Sequence, residues 1–289
     1  MEQISQPKIL RGLIVHDAIR QKLMQEVKGF FSSYLSSPKL VIIQVGERED
    51  SNVYIKQKIK FGELIGVSVV HKKLGKEVTE EDLRREIQTH NTDKSVSGII
   101  VQLPLPAHIN RAVIESIAQE KDVDCLTEYH QKKLEVGDEF SAPATARAVL
   151  ALIEYYKVPL QDKHVVVIGR SALVGKPTAT LLKLHGAKVS VIHRQTEDPK
   201  AISRTADVLV VACGVPQFVT GEWIDPGKMT VVIDIGIHRI EAGLVGDVEK
   251  LSVYPLVSAI SPVPGGVGPL TVASLFEQVV RMYRSANML

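Results

Sequence analysis

The stretch His164–Leu184, HVVVIGRSALVGKPTATLLKL, constrains the fold more than any other part of the chain. An apolar, β-branched run, His164–Ile168, passes into a loop bracketed by Gly169 and Gly175, then into residues of helical character. Such a run suits a parallel strand covered on both faces. Pro177 falls near the first helical turn, where a missing N–H costs nothing. A strand, a glycine loop and a helix in succession aim backbone amides and the positive end of the helix dipole at an anion, and a dinucleotide pyrophosphate is the usual occupant. The spacing G-x-S-x-x-x-G is a variant of the dinucleotide fingerprint, so an αβ turn that needs glycine only for its geometry is the competing explanation.

The next strand, Ala187–His193, ends at Arg194, 25 residues after Gly169. In a dinucleotide fold this strand end faces the adenosine ribose, and an acidic residue there selects NAD. Here the position holds His193 and Arg194, with Arg170 in the first loop. Two guanidinium groups match a 2′-phosphate, so NADP is the expected cofactor.

Elsewhere strands and helices alternate. Strands are expected at Lys8–Leu10, Leu40–Val45, Val67–Lys73, Gly98–Leu103, Asp207–Ala212 and Thr230–Gly236. Helices are expected at Val15–Tyr34, Ser51–Leu64, Glu80–Asn91, Ala112–Ala118, Thr145–Tyr156 and Val272–Asn287. That alternation implies βαβ units. The expected fold class is α/β with two domains, each a mainly parallel sheet flanked by helices, and a length of 289 residues agrees with two cores. The first domain is expected over 1–145 and a Rossmann-type domain over 146–269, with the C-terminal helix, 270–289, packing back on the first.

A formal net charge of +2 gives no reason to expect nucleic acid as a partner. Cys125 and Cys213 form no framework, no CxxC or HExxH spacing occurs, and no metal is expected. MEQISQPKIL lacks the apolar core of a signal peptide and no run is long enough for a membrane span, so the expected setting is cytoplasmic.

Chemistry-bearing residues gather in the first half. In SNVYIKQK, Ser51 is a natural N-cap, and Tyr54 and Lys58 share a helix face four residues apart. An aromatic plate beside an amine suits a flat heterocycle, although a surface helix with one half-covered tyrosine has the same spelling. Gln102 ends a buried strand, where open α/β sheets bind ligands, and Asp124 follows a polar turn. Near the C-terminus, ISPVPGGVGPLT is stiff at its prolines while its glycines let a ligand approach the backbone, which adds Pro264, Gly265 and Gly266 to the substrate-contact candidates.

Taken in order, SNVYIKQK, GIIVQLPLP, KDVDCLT, GRSALVGKP, ADVLVVACGVP, VVIDIGI, VGDV and ISPVPGGVGPLTVA resemble the bifunctional methylenetetrahydrofolate dehydrogenase/methenyltetrahydrofolate cyclohydrolase (FolD) family nearly end to end. The resemblance implies oxidation of 5,10-methylenetetrahydrofolate with NADP, hydrolysis of the methenyl product to 10-formyltetrahydrofolate, and a homodimer. It also implies roles: Lys58 as the acid–base residue, Tyr54 stacking on folate, Gln102 holding the lysine, and Asp124 gripping the pterin. Gly169, Arg170, Ser171 and Ile237 become cofactor contacts, with Arg194 for the 2′-phosphate. The chain departs from the family pattern at Cys125, where glycine is usual, at Ala144 and Ala146 in the PCTPxG segment, and at His238, where GIN reads GIH. Two rivals stand beside this reading: a folate- or NADP-binding relative retaining one activity, and a shikimate- or amino-acid-type dehydrogenase.

Overall fold

The structure is a computed structural model that describes residues 6–33, 36–241 and 243–287. In chain order the strands are β1 (Lys8–Ile9), β2 (Lys39–Val45), β3 (Ser68–Leu74), β4 (Gly98–Val101), β5 (His164–Ile168), β6 (Lys188–Ile192), β7 (Val208–Val211), β8 (Val231–Asp234), β9 (His238–Ile240), β10 (Gly243–Val245) and β11 (Ala259–Ile260). The α-helices are α1 (Gly12–Ser33), α2 (Glu49–Ile65), α3 (Glu80–Thr92), α4 (Glu128–Glu135), α5 (Ala144–Tyr155), α6 (Gly175–Leu184), α7 (Pro199–Arg204), α8 (Lys250–Val253) and α9 (Val267–Ala286). Two compact units result. One comprises residues 17–133 with the stretch from Val272 onward, and the other comprises Leu134–Thr271 with the N-terminal residues up to His16.

The unit built on residues 17–133 holds a parallel sheet in the order β3-β2-β4. Its central strand, KLVIIQV, is buried from Leu40 to Val45. A run that is apolar but for Gln44 suits a parallel strand covered on both faces. Helix α2 lies close over β3 because Gly62 has no side chain: a Cβ there would sit 2.4 Å from Val69 Cγ2. Phe276 of α9 meets Phe61 of α2 with ring centroids 5.1 Å apart, and the Tyr283 hydroxyl donates to the Ser36 carbonyl at 2.9 Å.

The other unit is a six-stranded, wholly parallel sheet in the order β1-β11-β8-β7-β5-β6, with the antiparallel hairpin β9–β10 beside it. β5 has β6 on one side and β7 on the other, so the winding direction reverses there. The loops after β5 and β7 therefore open a crevice at the carboxyl ends of the strands, the usual ligand site of such sheets.

Several local expectations change. The helix expected from Ser51 starts at Glu49, with Arg48 extended before it and giving no side-chain cap, so Ser51 lies buried inside the first turn rather than capping it. Ala112–Ala118 is a 3-10 helix, Arg111–Ser116, because six residues between the capping Asn110 and the extended Ile117 leave room for only two tight turns. The last helix begins at Val267, five residues early, since Pro269 sits in its first turn where no N–H partner is needed. Tyr34, the expected end of the first long helix, lies outside the described residues. The hairpin β9–β10 had no distinct sign in HRI and GLV, which are too short for periodicity to register.

Candidate active site

Helix α2 projects Tyr54 and Lys58 from one face, both half-buried. Lys58 Nζ donates to Gln102 Oε1 at 3.0 Å, although the two residues are 44 apart in the chain. Gln102 follows β4 directly, and its backbone N–H continues the ladder to the Ile43 carbonyl at 2.8 Å. Its side-chain amide donates to the Leu103 carbonyl at 2.9 Å. That second bond settles which end of the carboxamide faces the lysine: nitrogen toward Leu103, oxygen toward Lys58. Burial holds the Lys58 pKa below its ordinary value, while the Asp124 carboxylate opposes the shift. Lys58, Gln102 and Asp124 thus act on one another, and Tyr54 lies one helical turn before the lysine.

Two features here were not read from the sequence. Asp122 is buried and accepts the Thr127 N–H at 2.9 Å through Oδ2, while Oδ1 has no hydrogen-bond partner. A buried acceptor without a donor is costly in isolation. Gln44, 2% exposed within an apolar strand, donates to Asn52 Oδ1 at 2.9 Å and meets His71 Nε2 at 2.8 Å through Oε1. This chain of side chains ties the first turn of α2 to β2 and β3, which fixes the helix that carries Tyr54 and Lys58. One polar letter in LVIIQV was its only sign.

In the other unit, Gly169 takes φ +115, and a Cβ there would sit 2.1 Å from the Ala212 carbonyl oxygen. At Gly175 a Cβ would sit 2.1 Å from the Gly169 oxygen. The loop is therefore folded tightly against itself and against the end of β7, and only glycine fits at either place. Ser171 Oγ accepts the Val174 and Gly175 amides, each at 3.3 Å, at the start of α6. At the end of β6 the His193 N–H donates to Thr196 Oγ1 and the Thr196 N–H to the His193 carbonyl, both at 2.9 Å, a tight turn that leaves Arg194 exposed. Arg170 Nη2 donates to Gln195 at 3.4 Å, so both arginines stand at the same sheet edge. A cradle that any Cβ would fill and two guanidinium groups fit a phosphorylated dinucleotide.

The Pro264–Gly266 loop also belongs to this unit. The Gly12 N–H donates to the Gly265 carbonyl at 2.8 Å, and a Cβ at Gly12 would lie 1.8 Å from the Gly266 oxygen. A Cβ on Gly266 itself would lie 2.5 Å from the Pro262 oxygen. Gly266 is thus small so that chain can meet chain, whereas Gly265, at φ +100, faces open space. Ile237 is exposed beside this loop, its Cδ1 3.9 Å from where a side chain at Gly268 would begin.

Residues 10–124 match the family model for the tetrahydrofolate dehydrogenase/cyclohydrolase catalytic domain, and residues 143–287 match the model for its NAD(P)-binding domain. The chain belongs to the tetrahydrofolate dehydrogenase/cyclohydrolase family. Bifunctional protein FolD of Lactobacillus delbrueckii subsp. bulgaricus is 40% identical over 278 residues, covering 96% of this chain and 97% of that protein. The cytoplasmic C-1-tetrahydrofolate synthase of Schizosaccharomyces pombe is 41% identical over 283 residues, but they span 94% of this chain and only 30% of that longer protein. The crystal structure of Trypanosoma brucei FolD, complexed with NADP and an inhibitor, superposes with a TM-score of 0.92 at 36% identity, covering 98% of this chain and 99% of the other. With both family domains in order along one chain, the α/β fold and the paired dehydrogenase and cyclohydrolase character follow, and the shikimate-type reading loses its support. No helix among the described residues is long and apolar enough to cross a membrane.

Proposed function

We propose that this chain oxidises 5,10-methylenetetrahydrofolate with NADP and hydrolyses the methenyl product to 10-formyltetrahydrofolate, with Lys58 as the acid–base group. The substrate domain is the one that carries Lys58, and NADP binds the domain that carries Gly169. NADP, when bound, accepts a hydride from the one-carbon bridge. The cation left behind is shared by the two flanking nitrogens, so in that step the protein mainly aligns the substrate. Tyr54 supplies a plate for the pterin, and Asp124 accepts from its amino group and ring N–H.

Hydrolysis demands more. Water must lose a proton as it attacks, and a ring nitrogen must later gain one. One amine that changes protonation state serves both needs. A free lysine, with a pKa of about 10.4, is a poor base at neutral pH, and bringing it near 7 takes roughly 4–5 kcal/mol of differential destabilisation of the ammonium. Burial pushes in that direction. Gln102 orients the amine through an uncharged oxygen, whereas a carboxylate in its place would stabilise the ammonium and undo the shift. The Lys58 amine, bonded at 3.0 Å to a Gln102 amide that is itself pinned by the Leu103 carbonyl, carries this assignment.

On the cofactor side, Gly169, Arg170, Ser171 and Ile237 contact NADP and Arg194 meets the 2′-phosphate. Pro264 and Gly265 edge the substrate, with Gly266 holding their loop in shape. The family resemblance supports a homodimer in the cytoplasm, with no nucleic acid or membrane partner. The test follows NADPH formation and methenyl disappearance in the wild type and in Lys58→Met. The variant is expected to bind folate and transfer hydride while losing cyclohydrolase activity. Equal loss of both activities with folate binding intact would overturn the assignment.

A further inference from the structure

Asp247 is the most enclosed carboxylate of the dinucleotide-type unit, with no solvent exposure. Its Oδ1 accepts from His238 Nε2 at 2.6 Å and its Oδ2 accepts the Gly214 N–H at 2.9 Å. The three residues come from three places: Gly214 follows β7, His238 opens β9 just past the end of β8, and Asp247 follows β10. One carboxylate therefore joins the loops after β7 and β8, both at the carboxyl edge of the sheet. A second buried carboxylate, Asp234, closes the knot from below by accepting the Gly236, Asp247 and Val248 amides at 3.0–3.1 Å.

No space is left for the pieces to slide. A Cβ on Gly236 would lie 2.2 Å from Asp247 Oδ1, and one on Gly246 would lie 1.8 Å from Asp234 Oδ2. The groups facing Asp247 are His238, the Asp234 carboxyl and the Cys213 thiol; Tyr254 faces Asp234. Burial, with the Asp247 charge adding to it, pushes Cys213 up to about 12, so the thiol stays protonated and supplies no charge. Burial, again helped by Asp247, lifts Asp234 to about 7. The His238 imidazole, at 2.6 Å, is thus the side-chain donor that reaches this fully buried carboxylate, and a buried carboxylate left short of donors is disfavoured.

We propose that His238 is a positioning residue for NADP: by clasping Asp247 it holds Ile237 and the Gly214 loop in the shape that edges the cofactor crevice. The inference rests on the NADP reading of this unit. It also gives a physical role to the one departure, histidine for asparagine, that lies next to a cofactor contact. Loss of the imidazole leaves Asp247 with the Gly214 amide and the Cys213 thiol, and the loop that carries Ile237 loses its tie to the sheet edge. Asparagine retains an N–H donor of shorter reach and restores part of the clasp.

The test compares wild type, His238→Ala and His238→Asn by calorimetric titration with NADP in the absence of folate, by KM and kcat for each substrate, and by thermal unfolding without ligand. His238→Ala is expected to weaken NADP binding roughly tenfold or more, as befits loss of one charge-assisted bond. The KM for methylenetetrahydrofolate and the cyclohydrolase rate should stay within about twofold, and His238→Asn should recover most of the NADP affinity. Unchanged NADP affinity in His238→Ala overturns the proposal, as does a fall in all parameters in step with lost thermal stability. Wild type that binds no NADP overturns the cofactor reading itself, and that outcome is distinct from either of these.

Discussion

Gly169→Ala tests the cofactor cradle with one methyl group. At φ +115 an alanine backbone is strained by about 1–3 kcal/mol before any contact is counted. The added carbon would also lie 2.1 Å from the Ala212 oxygen and 2.8 Å from its carbonyl carbon. A comfortable carbon–oxygen separation is about 3.3 Å or more, so the loop or the end of β7 must move by roughly 1 Å. Both are continuous backbone in a close-packed sheet, and neither yields as a flexible side chain would. A displacement of that size at a positioning element typically costs on the order of a hundredfold. Gly169→Ala is therefore expected to weaken NADP binding about a hundredfold by calorimetry and to lower stability by about 2–3 kcal/mol in urea. Its cyclohydrolase rate should hold, because Lys58 and Gln102 belong to the other unit. A variant that binds NADP within twofold of wild type, with an unchanged urea midpoint, would refute the reasoning.

Other outcomes follow from the same structure. Lys121 donates to the carbonyls of His90, Asn91 and Asp93 at 2.7–2.9 Å, capping the end of α3; Lys121→Met should lose about 2–4 kcal/mol in urea, and a loss below about 1 kcal/mol would mean that water replaces the amine. Arg194→Ala should raise the KM for NADP about ten- to a hundredfold and leave that for NAD within about twofold; unchanged selectivity would remove Arg194 from the 2′-phosphate role. Asp234, raised from 3.8 to about 7, keeps its proton in the folded state between those values. Its contribution to stability is full below about pH 4 and lost as pH rises through about 7. Relative to Asp234→Asn, wild type should lose about 4 kcal/mol from pH 4 to 8 in urea titrations, and parallel pH profiles for the two proteins would contradict this.

Much of this was legible because periodicity and glycine placement are local signals. His164–Ile168 is a parallel strand as spelled, and Gly169 and Gly175 are glycine for the steric reason that their spacing suggested. The Tyr54–Lys58 pair shares a helix face because four residues make about one turn. Side-chain meetings across the chain were not legible. Nothing local in DIGIHRI or VGDV shows that Asp234, His238 and Asp247 converge, since that depends on how the β9–β10 hairpin returns the chain. Gln44 is a single polar letter in an apolar strand, and only the arrangement of β2, β3 and α2 gives it Asn52 and His71 as partners. Nothing local in QEKDVD marks Lys121, which is buried against the end of α3. Ser51 misled for the opposite reason: a good capping residue stood two positions inside a helix that starts without a side-chain cap.

Hydrolysis turns on one amine, whose titration can be followed by NMR. With lysine side-chain nitrogens labelled with 15N, the Lys58 resonance, assigned by its loss in Lys58→Met, is followed against pH beside the cyclohydrolase rate. The Lys58 midpoint is expected well below the ordinary lysine value of about 10.4, with the rate rising through that same midpoint as the neutral amine appears. A Lys58 that titrates at the ordinary value, while hydrolysis proceeds at full rate at neutral pH, would contradict it.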